Sequence, residues 1–341
     1  MKKDYPLVSI IIVNWNGGQI FDDCLKSLDN LDYPRWELIL VDNGSKDKSQ
    51  YLTKNHNLKC QRYKLIQNKT NLGFAEPNNQ GYRVSKGKYI LLLNNDTKVK
   101  SDFLNIMIDR MEKDPEVGVS QPKIYLMEKA GYLDNTGSYI TKTGLLKHEG
   151  FLEKDAPRFN KEKEIFAAKG ACMLIRREII EKVGLFDKDF FAYFEESDFC
   201  WKSWILGYST IYYPKTYIFH KLGATSKKMN QISINFHSLK NRVSALIKNL
   251  GFKNLFLILP THIFILIFIG IFYLIHLELS KSKMVFSAIY WNIIHLDKLL
   301  SERKKIQELR VFSDDEIFRR VGKSWPIGEM LKHFKKVEAN Y

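Results

Sequence analysis

Short apolar runs alternate with polar, helix-compatible stretches over the first two thirds of the chain. Four runs have the length and composition of buried strands and are followed by polar turns; they cover residues 7–13, 37–41, 64–67 and 89–93. Helices are expected between them, over residues 19–28, 45–55 and 77–85. This alternation predicts β-α-β units around a mostly parallel sheet, and therefore an α/β fold.

Four further elements are predicted later in this region. Residues 165–176 are expected to form a strand, 178–183 a short helix, 196–206 a helix, and 209–219 a late strand that Pro214 interrupts. In open α/β sheets, ligands bind beyond the carboxyl ends of the strands. The polar residues that end the apolar runs are therefore the first candidates for a binding site.

A different pattern begins after residue 230. Residues 255–277 contain no Asp, Glu, Lys or Arg, and as a helix they would extend about 34 Å, enough to cross a bilayer core of about 30 Å. A second, weaker apolar stretch covers residues 284–300. The predicted divisions are an α/β domain at 1–230, a basic linker helix at 231–254, a transmembrane or re-entrant helical segment at 255–300, and a charged tail at 301–341.

Basic residues flank the uncharged segment on both sides. They are Lys240, Arg242, Lys248 and Lys253 before it, and Lys281, Lys283, Lys298, Arg303, Lys304 and Lys305 after it. A single crossing would put the second group on the far side, against the tendency of Lys and Arg to stay in the cytoplasm. A hairpin, in which residues 284–300 return or lie in the interface, avoids this conflict. A re-entrant segment broken at Pro260 and a buried bundle helix are the alternatives.

Composition and charge narrow the class of protein. Hydrophobic residues make up 45% and charged residues 27% of the 341 residues, which excludes a disordered chain. The net charge of +15 suits either nucleic acid or an anionic membrane, and the uncharged segment favours the membrane. The four cysteines form no C-x-x-C pair and follow no secretory leader pattern, so we expect the first domain to face the cytoplasm.

The sequence lacks the characteristic motifs of three common classes of protein: dinucleotide-binding enzymes, phosphate-loop nucleoside triphosphatases and zinc metalloproteases. The chain has no G-x-G-x-x-G dinucleotide motif, no G-x-x-x-x-G-K-[ST] phosphate loop and no H-E-x-x-H zinc motif. It has instead a series of polar clusters in a fixed order: VSIIIVNWN at 8–16, VDNGS at 41–45, NLGFA at 71–75, NND at 94–96, FAYFEESD at 191–198, and His220.

In this order and spacing, the clusters resemble those of glycosyltransferase family 2, and most closely its rhamnosyltransferase-like members. The resemblance covers about residues 6–226. It implies a GT-A fold, with a Rossmann-like, mostly parallel sheet, and an inverting transfer of a sugar from a nucleotide-diphosphate donor. The Q-x-x-R-W motif of processive synthases is absent from the sequence, which favours the addition of single sugars.

The resemblance implies a divalent cation, Mn²⁺ or Mg²⁺, held by Asp96 at the last position of a D-x-D motif and by His220. The chain departs from this motif at Asn94, where a neutral amide replaces the first carboxylate. The donor's diphosphate would then supply much of the coordination. Without the resemblance, Asp96 would be interpreted as a solvated turn residue and His220 as a structural histidine.

The resemblance also places the nucleotide. Asp42 follows a strand and precedes a helix start, where it would contact the base or ribose; alone it would be an Asx-turn or N-cap residue. The complete predicted nucleotide-binding set is Val13, Asn14, Asn16, Asp42, Gly73, Phe74, Asn79 and Asn95.

The remaining predicted roles concern the transfer itself. The family usually carries Glu-Asp where this chain has Glu195 and Glu196, so Glu196 is the expected general base and Glu195 the second choice. Asp198 and Trp201 are expected to orient that carboxylate and shape the acceptor site. Lys169 and Gly170 match a stretch near the donor sugar and acceptor. The competing interpretation of the acidic cluster is a helix N-terminus that favours acids.

The predicted function is therefore a membrane-associated glycosyltransferase with its catalytic domain in the cytoplasm. Its donor would be a dTDP- or UDP-sugar and its acceptor a hydroxyl of a lipid-linked or cell-surface polysaccharide precursor; no nucleic-acid partner is expected. A nucleotidyltransferase with a related α/β core is one alternative, although the loop after the first strand lacks the expected cation. A basic, non-enzymatic membrane scaffold is the other, although the acids collect where strands end.

Overall fold

The structure is a computed structural model that describes residues 4–223, 230–326 and 328–329. Residues 327 and 330–341 of the predicted tail lie outside this part. The strands are β1 (Val8–Asn14), β2 (Trp36–Asp42), β3 (Arg62–Gln67), β4 (Tyr89–Leu93), β5 (Thr97–Val99), β6 (Val117–Leu126), β7 (Leu133–Asn135), β8 (Ser138–Ile140), β9 (Leu146–His148), β10 (Lys163–Glu164), β11 (Cys172–Arg176) and β12 (Ser209–His220).

Helices surround these strands and then form the C-terminal third. They are α1 (Gly18–Asp29), α2 (Ala75–Val84), α3 (Phe103–Lys113), α4 (Arg177–Val183), α5 (Glu195–Ile205), α6 (Gln231–Asn249), α7 (Phe252–Ile275), α8 (Leu279–Ile294), α9 (Leu296–Glu308) and α10 (Asp314–Val321). Two 3₁₀ segments cover Ser49–Asn55 and Pro157–Asn160.

A mixed, mostly parallel sheet organises the first domain. Its strand order is β10-β12-β6-β11-β4-β1-β2-β3, with β5 beside β12 and β7 beside β6. The strands β3, β2, β1 and β4 run parallel, and β11 enters antiparallel between β4 and β6. The predicted α/β sheet is confirmed, and it brings the ends of β1, β2 and β4 to one edge.

Side-chain alternation along the central strands builds a core on each face of the sheet. Ile11 and Ile39 pack on the side of α2, α4 and α5, whereas Ile10 and Leu38 pack on the side of α1 and α3. Because both faces are covered, the strands are almost wholly apolar. This is why contiguous apolar runs predicted them well.

Three predicted elements differ from the structure. The helix expected at 45–55 is a 3₁₀ segment that begins only at Ser49. The strand expected at 165–176 is confined to Cys172–Arg176. The strand at 209–219 is not broken by Pro214; its pairing with β6 shifts register between Tyr213 and Tyr217, because proline has no N–H to donate to the ladder.

The region 97–164, for which the sequence predicted no element, holds α3 and the strands β5 to β10. Strand β5 pairs with the end of β12 and places His220 opposite Thr97. Strand β7 pairs with β6, the neighbour of β12. These short pairings bring three distant parts of the chain to the end of β12.

The apolar C-terminal segment forms an antiparallel helical hairpin. Helix α7 is, within the described residues, the one helix long and apolar enough to cross a membrane. The chain reverses after it, and Ser282 Oγ at the start of α8 donates to the carbonyl of Gly270 at 2.9 Å. Helices α9 and α10 return to the first domain, where Lys323 N donates to Ile140 O at 2.9 Å.

Candidate active site

An open cleft of about 220 Å³ lies beyond the carboxyl ends of the parallel strands. It is lined by Val13, Trp15, Asn43, Asn71, Gly73, Phe74, Asn94, Asn95, Asp96, Lys169, Gly170, Ala171, Phe191, Ala192, Tyr193, Glu195, Glu196, His220 and Gly223. The predicted residues Val13, Gly73, Phe74, Asn95, Asp96, Lys169, Gly170, Glu195, Glu196 and His220 are all in this lining.

Asn14 and Asp42 lie beneath the cleft and fasten its floor. The Asn14 amide donates to Ser49 Oγ at 2.8 Å and to Asp42 Oδ1 at 3.3 Å, and it accepts from Asn95 Nδ2 at 2.9 Å. Both side chains are buried, and neither lines the cleft. They hold the ends of β1, β2 and β4 together at the position where the nucleotide was predicted.

The other two predicted nucleotide residues also hold loops. Asn16 has a positive φ of 50° and its Oδ1 accepts from the backbone of Lys46 at 2.8 Å. Asn79 makes paired hydrogen bonds with the backbone of Phe186, each 3.0 Å long. Neither residue is part of the cleft lining.

Asn43 and Gly73 join two walls of the cleft. The Asn43 amide donates to Asn71 Oδ1 and to Gly73 O, both at 2.8 Å. Gly73 has a φ of +86°, and a Cβ there would lie 2.0 Å from the carbonyl oxygen of Phe191. Only glycine permits this close approach of the two backbones. The approach is held by a hydrogen bond from the backbone N–H of Phe74 to Phe191 O, at 2.6 Å. Sequence reasoning did not single out Asn43, although it adjoins Asp42.

Asp96 and His220 face one another in the lining of the cleft. Asp96 Oδ1 lies 3.2 Å from His220 Nε2, but it is buried and makes no hydrogen bond of good geometry. Burial lowers the pKa of His220, but the charges of Asp96 and Asp134 outweigh it and raise that pKa to about 9. With that pKa, His220 is an imidazolium at neutral pH and forms an ion pair with Asp96, so a cation that bound His220 Nε2 would have to displace its proton.

Asp134 is a residue that sequence reasoning missed. It is fully buried, and its two oxygens bind His220 Nδ1 at 2.8 Å and Lys169 Nζ at 2.6 Å. Burial favours the neutral acid, but Lys169 and His220 together hold the pKa of Asp134 below its usual range. Asp134 therefore fixes the imidazole with Nε2 toward the cleft and links it to Lys169.

Glu195 and Glu196 line the same cleft from the start of α5. The two residues before them, Tyr193 and Phe194, have positive φ angles of 69° and 73°, which non-glycine residues seldom adopt. One oxygen of each glutamate is buried without a hydrogen-bond partner. Burial raises the pKa of both carboxyls; the charge of Glu196 raises that of Glu195 further, whereas backbone hydrogen bonding and Lys169 limit the rise for Glu196.

Helix α6 stabilises this strained loop from outside the cleft. The buried Asn241 amide donates to the carbonyls of Ala192 at 3.0 Å and Tyr193 at 2.6 Å. The ring of His237 stacks on Phe191 with centroids 5.0 Å apart. These contacts compensate for the unfavourable backbone of the loop that presents the glutamates.

Asp198 and Trp201 lie away from the cleft, although they were predicted to shape its acceptor side. Asp198 is buried and accepts from Asn249 Nδ2 at 2.8 Å, beside Lys202 and Lys248. Trp201 packs edge-on against Phe166, with ring centroids 5.3 Å apart. The structure gives both side chains contacts that anchor α5 to its surroundings.

Residues 9–184, which include most of the cleft, match the sequence model of the family "Glycosyl transferase family 2". The chain belongs to glycosyl transferase family 2. It is therefore a glycosyltransferase, and the nucleotidyltransferase and scaffold alternatives are not retained. Curated relatives of the chain include the poly-β-1,6-N-acetyl-D-glucosamine synthase of Staphylococcus epidermidis, 25% identical over 61% of this chain and 48% of that protein.

A second relative is the putative teichuronic acid biosynthesis glycosyltransferase TuaG of Bacillus subtilis, 28% identical over 31% of this chain and 42% of that protein. Both relatives are named for polysaccharide synthesis. The chain spans about half the length of such curated relatives, or less.

Solved structures of glycosyltransferases share the fold. The S. aureus TarS fragment 1–349 in complex with UDP-GlcNAc has a TM-score of 0.57 at 15% identity, over 89% of this chain and 88% of that one. The mannosyltransferase PcManGT of Pyrobaculum calidifontis, with GDP-Man and Mn²⁺, has a TM-score of 0.53 at 14% identity, over 90% and 86%. At these identities the likeness concerns the fold alone, and it confirms the predicted GT-A fold of this family member.

Proposed function

We propose that the protein transfers a single sugar, with inversion, from a nucleotide-diphosphate sugar to a hydroxyl of a lipid-linked or cell-surface glycan precursor. The observation that carries this proposal is that one cleft is lined both by Asp96 with His220 and by Glu195 with Glu196, one oxygen of each glutamate being buried without a hydrogen-bond partner. The first pair suits a diphosphate leaving group. The second suits a hydroxyl that must lose a proton.

The donor end of the cleft lies against β1 and β2. Val13, Trp15 and Asn43 line it, and they rest on the floor made by Asn14 and Asp42. A UDP- or dTDP-sugar is the proposed donor; the TarS structure was obtained with UDP-GlcNAc and PcManGT with GDP-Man. Transfer of rhamnose stays a prediction from the sequence motifs.

The proposed divalent cation would be held by Asp96 and His220. Asp96 Oδ1 is buried without a hydrogen bond, and Asp134 leaves His220 Nε2 directed toward it. Within the described residues no cluster of three or more His, Cys, Asp or Glu side chains is present, so the protein contributes two ligands here and oxygens of the donor must complete the shell. The cation would neutralise negative charge that develops on the departing diphosphate.

Glu196 is the proposed general base. Its position at the start of α5 and the raised pKa of its carboxyl suit proton removal from an acceptor hydroxyl near neutral pH. Lys169 lies in the same cleft, held by Asp134, and places a positive charge near the reacting groups. A single displacement by the deprotonated hydroxyl inverts the sugar's anomeric configuration.

The test is a panel of nucleotide sugars offered to the purified full chain, with Mn²⁺, with Mg²⁺ and with a chelator. We expect one UDP- or dTDP-sugar to bind and to be slowly hydrolysed only when a divalent cation is present. Equal hydrolysis in the chelator would contradict the cation assignment. Binding of no nucleotide sugar under any condition would contradict the proposed function.

Asp134→Asn is expected to weaken Mn²⁺ binding in the presence of UDP by roughly 10–100-fold, because the amide no longer fixes the His220 tautomer. Electron paramagnetic resonance of free Mn²⁺ measures this affinity. Asp155→Asn is the matched control, since Asp155 also accepts from a lysine, Lys123 at 2.9 Å, but lies outside the cleft lining. Equal Mn²⁺ affinity in the two variants would show that Asp134 has no positioning role.

A further inference from the structure

The outer surface of the α7–α8 hairpin is apolar and exposed. We call its exposed members the apolar face: Phe256, Phe264, Phe268 and Phe272 on α7, with Tyr290 and Ile293 on α8. Phe264 is 70% and Phe268 65% exposed. So many large apolar side chains exposed on one helical hairpin are unusual for a protein surrounded only by water.

The opposite side of α7 is attached to the protein through a row of residues spaced by four. Ile258 joins the core of the first domain, and Leu266 packs with Val243 of α6 and Val285 of α8. Between them, His262 Nδ1 lies 2.8 Å from the carbonyl of Thr143, in the turn between β8 and β9. Helix α7 thus lies along the protein for most of its length.

This attachment is incompatible with a simple crossing of the bilayer. A crossing helix must traverse about 30 Å of hydrocarbon, which takes about 20 residues. The Thr143 contact lies near the middle of the 24-residue helix, beside the exposed Lys142. Crossing would therefore carry a polar turn of the first domain into hydrocarbon, where unsatisfied backbone groups and charges are costly.

The charges near α7 agree with a helix that lies flat. Lys253 is near its start, Lys281 and Lys283 follow the turn after its end, and no charged residue lies from Asn254 to Leu277. Lys253 Nζ lies 3.7 Å from Asp315, but its side chain is still 75% exposed. Lys281 is paired with Glu278. In a flat helix both ends stay at the level of the lipid headgroups, where lysines meet anionic phosphates.

We propose that the apolar face docks on an anionic bilayer, with α7 and α8 lying in the interface of one leaflet and no segment crossing to the other. The occupant of this face is a lipid surface. The inference concerns attachment alone and does not depend on which sugar the protein transfers, so its failure and that of the proposed function are distinguishable.

Flotation of the purified full chain with vesicles tests the docking. We expect it to float with vesicles that contain phosphatidylglycerol and much less with pure phosphatidylcholine. Phe268→Glu should reduce the bound fraction roughly tenfold or more, because one aromatic ring leaves the interface and a negative charge enters. Val311→Glu is the matched control, since Val311 is 67% exposed but lies outside the hairpin. Equal losses in both variants would overturn the proposal.

Thiol labelling separates docking from crossing. Ser280→Cys, at the exposed start of α8, is placed in a Cys60→Ser background because the other three cysteines are buried. Protein added outside the vesicles should react with an impermeant maleimide before detergent is added. Reaction only after detergent would show that the turn has crossed, and would overturn the proposal. So would a vesicle-independent dimer that Phe268→Glu dissociates, because the face would then bind a second copy.

Discussion

Asp96→Ala is expected to lower turnover by roughly 10²–10³-fold or more at saturating donor, the scale seen when one electrostatic contact to a developing charge is removed. The carboxylate faces His220 and the cleft, and its Oδ1 makes no hydrogen bond that supports the fold. We therefore expect little change in circular dichroism, whereas the unfolding temperature should fall, because the buried His220 loses the charge of its partner. Initial rates of sugar transfer measure the effect.

Two controls define this experiment. Asp96→Asn keeps the shape but removes the charge, so it should resemble Asp96→Ala if the charge is what matters. Asn94→Ala changes a neighbouring residue of the cleft lining without removing a carboxylate, and its effect should be smaller. Near-normal turnover of Asp96→Ala at saturating Mn²⁺ would disprove the role assigned to Asp96.

Glu196→Gln is expected to reduce acceptor-dependent turnover by roughly 10²–10⁴-fold while leaving donor binding intact, because the amide has nearly the same volume but cannot take a proton. Glu195→Gln should have the smaller effect. Turnover and the donor's Kd, measured separately, distinguish a chemical defect from a binding defect. The reverse order of the two effects would identify Glu195 as the base.

The same pair predicts a pH dependence. Burial raises the pKa of Glu196, so the base becomes protonated, and activity falls, at a higher pH than an ordinary glutamate would give. The charge of Glu196 raises the pKa of Glu195 further, so Glu195 is already protonated while Glu196 titrates. Glu195→Gln should therefore leave the acidic limb of the kcat profile in place, and a clear shift of that limb in either direction would contradict the assignment of the limb to Glu196.

The parts of the fold that were predictable are those where one strand buries both of its faces. Contiguous apolar runs located β1, β2 and β4 within one or two residues. No such pattern marks Asp134, because it lies in the three-residue strand β7, which is too short to give a sequence pattern and is defined by its pairing with β6. That pairing brings it to His220, 86 residues later in the chain, which no local pattern encodes.

Asp198 and Trp201 show a different limit. Their motif predicted that they belong to the same helix as Glu196, and they do. At about 100° per residue, however, positions two and five residues after Glu196 project from the far side of that helix. Their carboxylate and indole therefore meet Asn249 and Phe166 rather than the cleft. Helical periodicity contained this information, whereas the resemblance of the motif did not.

Helix α6 touches both the glutamate-bearing loop and the hairpin. Asn241 holds the loop, and one turn later Ser244 Oγ donates to Asn292 of α8 at 2.7 Å. The height of the cleft above a docked leaflet is consequently set by packed side chains and not by a flexible tether. For a lipid-borne acceptor, the concentration that governs the rate is then its mole fraction in the leaflet. Diluting that acceptor with inert lipid should slow transfer, whereas adding buffer at constant lipid composition should not.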